Sequence, residues 1–254
     1  MPSPSAIRRA APSAFTLLEL LVVIAIITVL AVLVIAGLAR SKRMALRVTC
    51  MNNLRQFVAA DLGYFADNGQ FPAMDSTVPS SIKVAHLAMM ASYLKTSVPT
   101  GPAALWPKRL KQPEWINCPC AKTSGYAEGL TAGGGVYTGY LYVGGIEDSP
   151  IVLTGMATLP NPEHSAQSRN FRRGVLWADI LGEFRIGDPR RYECFHTVAG
   201  KKYKDFRFPQ KEIEGIHRAW SDGSVEWVPI ERLDLSGPGS PDLQINHLLG
   251  NYYY

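Results

Sequence analysis

Apolar residues fall into three differently spaced stretches along the chain. From Leu20 to Ala39, twenty consecutive residues carry no charge. At about 1.5 Å of rise each, they match a hydrocarbon core of about 30 Å, so the run predicts a membrane-spanning helix. Downstream, Met44, Val48, Met51, Leu54, Val58, Leu62 and Phe65 recur at three- and four-residue steps, which is the spacing of one apolar face of a helix. Asn68-Gly69 and then Pro72 form a stop signal, because glycine takes a left-handed capping conformation without steric cost. The pattern therefore predicts one helix from Phe15 to about Asp67, roughly 80 Å long. Its first half, 15–39, needs lipid or other helices around it, and its amphipathic second half, 40–68, needs a folded domain.

After Pro72 the spacing changes again. Val84, Leu87, Met89, Met90 and Leu94 predict one more helix, and "GVYTGYLYV", "GVLWAD" and "FRF" read as short strands between glycines and prolines. In "IHRAWSDGSVEWVPI", Asp222-Gly223 suits a two-residue hairpin turn that would set Trp220 opposite Val225 and Arg218 opposite Trp227. Residues 69–254 are thus expected to form an α+β domain with a small antiparallel sheet. Roughly 190 residues remain beyond the first helix, a size that suits one compact unit.

Charge changes the picture only near the membrane. The net charge is +5, and much of the excess lies in Arg8, Arg9, Arg40, Lys42, Arg43 and Arg47, which flank the apolar run. Membrane headgroups account for these charges without any nucleic acid. A cleaved secretory signal is excluded by length, since its apolar region spans about 7 to 15 residues. A plain signal anchor fits the length but leaves Glu19 unexplained, because a carboxylate within a span costs about 2.5 to 3.5 kcal/mol on insertion scales.

Residues 14 to 24, "AFTLLELLVVI", preceded by Arg8 and Arg9, resemble the processing site of type IV prepilins and type II secretion pseudopilins. The resemblance implies cleavage between Ala14 and Phe15 by a prepilin peptidase, N-methylation of Phe15, and a requirement for Glu19 in assembly. Residues 1–14 would then be a leader. The family usually has glycine where this chain has Ala14, also a small residue. "CMNNLRQ" at 50–56 and "YFADNGQFP" at 64–72 extend the likeness. It further implies a pilin-like fold, other pilin or pseudopilin subunits and an inner-membrane assembly platform as partners, and a single-pass inner-membrane protein with a periplasmic or extracellular domain. A count of basic residues alone, two before the span and four after it, would place the domain on the opposite side. Glu19 acquires a purpose in this frame: one turn from the Phe15 amine, it would meet the amine of a neighbouring subunit. The rival class is a signal-anchored extracytoplasmic enzyme or glycan-binding protein.

Four cysteines bring in further chemistry. Cys118, Cys120, Cys194 and His196 form a C-x-C and C-x-H set of zinc-binding types without the usual two-residue spacer. An exported domain favours disulfides, and four cysteines allow three connectivities. The likeness to similar chains, in which "CP" recurs, puts Cys50–Cys118 first and Cys120–Cys194 second, with neither metal nor cofactor expected. Related chains also end in an Asp-Gly hairpin with a histidine ten residues before the aspartate; Glu212 stands there instead, and His217 is out of that register. Cys194 with His196 offers a nucleophile and base but no oxyanion hole, so no catalytic residue is assigned. Asp179, Glu183, Asp188 and Asp222 are of the type that binds calcium, as one class of pseudopilin does, but without regular ligand spacing.

Overall fold

A computed structural model describes residues 16–73, 80–96, 114–120, 135–144, 157–158, 174–184, 191–198, 207–236, 243–247 and 250–253. The leader, Ala14, Phe15, Asp188 and Tyr254 lie outside the described residues. The chain divides into two compact units, Met1–Met44 and Ala45–Tyr254.

Helix α1 runs Leu17–Asn68 and crosses the boundary between them. In the first unit its large apolar side chains from Leu17 to Leu38 are exposed, from 44% at Val23 to 83% at Leu17. In the second unit Cys50, Leu54, Phe57, Val58 and Asp61 are buried, at helical spacing on one face. This face is rotated from the expected one. Leu54 and Val58 are buried as the stripe predicts, whereas Met51, Leu62 and Phe65 are half-buried and Met44 and Val48 are exposed. Gly69 ends the helix at φ +71°, its N–H donating to the Phe65 carbonyl at 2.8 Å. This is the left-handed cap the sequence announces.

The remaining described strands and α-helix are β1 (Ser81–Lys83), α2 (Val84–Tyr93), β2 (Gly135–Tyr137), β3 (Tyr140–Tyr142), β4 (Ala157–Thr158), β5 (Val175–Asp179), β6 (Leu181–Phe184), β7 (Arg191–Cys194), β8 (Arg207–Phe208), β9 (Gly215–Trp220), β10 (Val225–Pro229), β11 (Leu243–His247) and β12 (Gly250–Tyr253). The fold is α+β, with β1 and β2 forming a ribbon, a four-stranded sheet in the order β10-β9-β5-β3, and a six-stranded sheet in the order β4-β11-β12-β6-β7-β8. All pairings among the described residues are antiparallel. This is the α+β domain with antiparallel sheet that the sequence predicts; strands as short as Ala157–Thr158, which carry no periodicity of their own, add to those legible from the sequence.

Every residue of β5, "VLWAD", is buried. A strand covered on both faces reads as a continuous run rather than an alternation. Its Trp177 meets Phe57 of α1 with ring centroids 4.9 Å apart, and Phe57 also meets Tyr140 at 5.2 Å and Trp115 at 5.9 Å. Asp61 of α1 accepts the Trp177 indole N–H at 2.6 Å and faces His86 Nε2 at 3.4 Å. The domain-facing half of α1 is thus fastened by an aromatic cluster and a buried carboxylate.

The β9–β10 hairpin corrects the expected register by one residue. Val225 pairs with Ala219, Glu226 with Arg218 and Trp227 with His217. The turn contains Ser221, Asp222 and Gly223: Gly223 N–H donates to the Trp220 carbonyl at 2.9 Å, Trp220 N–H donates to the Ser224 carbonyl at 2.8 Å, and Gly223 takes φ +86°. A three-residue loop closed by a left-handed glycine competes with the two-residue turn for the same Asp-Gly dipeptide. A slip of one residue exchanges faces, so Trp227 lies across from His217 rather than Arg218.

Candidate functional site

Two places hold the residues singled out by the sequence. The first is the start of α1. Thr16 precedes the helix, its N–H and Oγ1–H each donate to Glu19 Oε2 at 2.9 Å, and Glu19 N–H donates to Thr16 Oγ1 at 3.2 Å. This reciprocal pair is a capping box, in which a Thr and a Glu three residues later satisfy each other's orphan N–H groups. Thr16-Leu17-Leu18-Glu19 is legible in the sequence as that motif, and this role for Glu19 is additional to the one the family resemblance implies.

The second place lies within Ala45–Tyr254. Cys50 projects from α1. Cys118 and Cys120 follow the short 3-10 turn Glu114–Ile116, and His196 sits just after β7. One ligand atom from each of Cys50, Cys118, Cys120 and His196 lies within 4.8 Å of all the others. The Cys50 and Cys118 sulfurs are 2.9 Å apart with no S–S bond. Cys118 Sγ stands 3.7 Å from His196 Nε2, and Cys120 Sγ 3.6 Å from His196 Nδ1. Cys50, Cys118 and His196 are buried, and Cys120 is half-buried. Gly139 presses on this loop: its N–H donates to the Ile116 carbonyl at 3.2 Å, and a Cβ there would collide with the backbone of Cys118.

Asp179, at the end of β5, supports the histidine. Its Oδ2 is 3.0 Å from His196 Nε2 and 2.7 Å from His217 Nδ1, and it accepts the backbone N–H of His217 at 2.7 Å. His217 packs edge-on to Trp227 at 4.8 Å, and Arg47 lies 4.2 Å over that indole while pairing with Glu214. Burial alone would raise the Asp179 carboxyl, but the charges of His196 and His217 outweigh it and hold the group well below the usual carboxylate range. Burial alone would lower His196, but Asp179 overrides it and holds the imidazole well above its ordinary value. Burial pushes the Cys50 thiol up to about 11 and the Cys118 thiol well above its ordinary range, while hydrogen bonds from Cys118 and Cys50 pull Cys120 down.

Cys194 is outside this group, its Sγ directed at the carbonyls of His196 and Gly215 at 3.9 and 4.0 Å. Burial pushes its thiol up to about 12. The His196 ring turns instead to Asp179 and the other cysteines, so Cys194 and His196 do not form a nucleophile–base pair. The acidic residues of calcium-binding type are likewise separated by their partners. Glu183 accepts from the buried Tyr253 hydroxyl at 2.9 Å, and Asp222 accepts from Ser224 within its own turn. Sequence reasoning finds three members of the four-donor group but takes Cys194 in place of Cys50. Only the packing of α1 on the domain brings Cys50 to residues 68 or more positions away.

An exposed apolar helix with an acidic first turn, joined to an α+β unit, is the architecture of a membrane-anchored protein with a folded extramembrane part. Residues 9–35 match the model of the prokaryotic N-terminal methylation motif, the hallmark of type IV prepilin and pseudopilin-like proteins. No curated protein and no solved structure matches the chain.

Proposed function

We propose that this protein is a structural subunit of a type IV pilus-like filament or type II secretion pseudopilus. In this reading residues 1–14 are a leader removed by a prepilin peptidase between Ala14 and Phe15, and Phe15 becomes the methylated N-terminus. Residues 15–39 hold the chain in the inner membrane, the assembly platform draws the helix into a bundle of like helices, and residues 69–254 face the periplasm or exterior. Its work is assembly rather than turnover. The observation that carries the proposal is the methylation motif lying over a helix whose large apolar side chains are exposed along its whole first half. Such a surface needs lipid or identical neighbours.

Mass analysis of the mature N-terminus tests it. A chain beginning at methylated Phe15 supports the proposal; an intact leader or a start at Arg40 supports a simple tether instead. Ala14→Gly is expected to be cut at least as fast as wild type and Ala14→Leu to remain uncut, because the residue before the scissile bond must lie close to the protease backbone. Equal processing of the leucine variant would refute the assigned bond.

A further inference from the structure

We propose that Cys50, Cys118, Cys120 and His196 bind a structural zinc ion that fastens α1 to the domain. In a tetrahedral site with Zn–S near 2.3 Å and Zn–N near 2.0–2.1 Å, neighbouring donors stand about 3.5–3.8 Å apart. The Cys120 Sγ–His196 Nδ1 separation, 3.6 Å, already has that spacing. All four ligand atoms lie within 4.8 Å of one another, so a single ion reaches them with small movements. Three thiolates and one imidazole form a soft, closed set that selects zinc over calcium or magnesium, and four protein ligands leave no open position for substrate.

The surroundings of His196 give a second, independent reason. Zinc-bound histidines characteristically donate their other ring N–H to a carboxylate, which fixes the tautomer and orients the ring. His196 presents Nδ1 towards Cys120 and Nε2 to Asp179 at 3.0 Å. Asp179 is in turn held by the His217 backbone and ring. Nδ1 is therefore the ligand atom and Nε2–H the anchor. A Cys50–Cys118 disulfide would use two of the four donors and give no reason for Cys120 and His196 to converge on the same point.

Binding sends to solvent the protons that the cysteine sulfurs and His196 Nδ1 carry, and joins three separate segments: α1, the loop at 118–120 and His196 just after β7. Where the first half of α1 is held by other subunits, this clamp resists extraction of the helix from its own domain. It stands whether or not the protein polymerises.

The test uses the full-length protein, purified in detergent without chelator. Elemental analysis should find stoichiometric zinc. Cobalt(II) exchanged into the site should show thiolate charge-transfer bands and intense tetrahedral ligand-field bands. Cys120→Ser and His196→Asn should each abolish stoichiometric binding, Cys194→Ala should keep it, and Asp179→Asn should weaken it about 10- to 100-fold. Cobalt bands in wild type do not depend on any variant folding. A Cys50–Cys118 linked peptide in zinc-free protein, a cobalt spectrum without thiolate bands, or undiminished zinc in both Cys120→Ser and His196→Asn would overturn the assignment.

Discussion

The two halves of α1 obey the same backbone geometry and meet different solvents. Between Leu17 and Leu38 the large apolar side chains are exposed all round the helix, and nothing among the described residues of the first unit covers them. From Cys50 onward only one face is buried, and polar groups share it: Asn53 Nδ2 donates to the Tyr140 hydroxyl at 3.1 Å, and Asp61 accepts from Trp177. The comparison teaches where each half gets its stability. A helix apolar on every side is indifferent to rotation and is satisfied by lipid or by copies of itself. A helix with one buried face is locked by specific shapes and hydrogen bonds, and tolerates substitution poorly.

The largest expected effect lies at Glu19. If its charge pairs with a neighbouring subunit's amine, Glu19→Val should be inserted and cleaved yet be missing from the sheared filament fraction. Glu19→Gln then separates the two roles of this side chain, since glutamine also serves a capping box but carries no charge. Failure of both variants sustains the ion pair, whereas a glutamine variant that polymerises like wild type would leave capping as the essential role.

Core truncation should divide the halves next. Trp177→Ala removes the indole that packs on Phe57 and donates to Asp61, and is expected to cost about 3–5 kcal/mol in denaturant unfolding of the domain. Leu30→Ala, on the exposed half, should change the same transition by less than about 0.5 kcal/mol. Comparable losses would show that the two halves are not energetically separate. A smaller loss is expected for Asp61→Ala. It leaves the Trp177 N–H without its buried acceptor, at about 1–3 kcal/mol, measured in the same titration. Smaller still among the substitutions in the domain-facing half is Gly69→Ala, where a Cβ meets nothing within 4 Å but φ is +71°, so about 1 kcal/mol of backbone strain is all that changes.

Much of the candidate chemistry is legible one residue at a time. The three zinc-type ligands Cys118, Cys120 and His196 stand out by type, as does the Thr16–Glu19 capping spacing. Cys50 reads only as half of a bridge, because its place beside His196 depends on how α1 rolls against the sheet. The roll differs from the simple apolar stripe: Met44 and Val48 look like core and are exposed, while Asp61 looks like surface and has no exposure at all. Its buried partners, Trp177 and His86, lie 116 and 25 positions away, beyond any local pattern. The β9–β10 register escapes the sequence for a different reason, since two turn types compete for Asp222-Gly223 and one residue decides which side chain faces Trp227.

The sequence by itself determined the apolar span, the cap at Gly69, the N-terminal motif with Glu19, and the α+β character of the chain beyond Pro72. Each is written in neighbouring residues, through length, periodicity or the steric freedom of one glycine. Only the tertiary structure decided which face of α1 is buried, how the two sheets are ordered, and that Cys50, Cys118, Cys120 and His196 meet beside Asp179. Those are contacts between segments far apart in the chain. The packing of Phe57, Tyr140 and Trp177 chooses among arrangements that the local pattern leaves equally open.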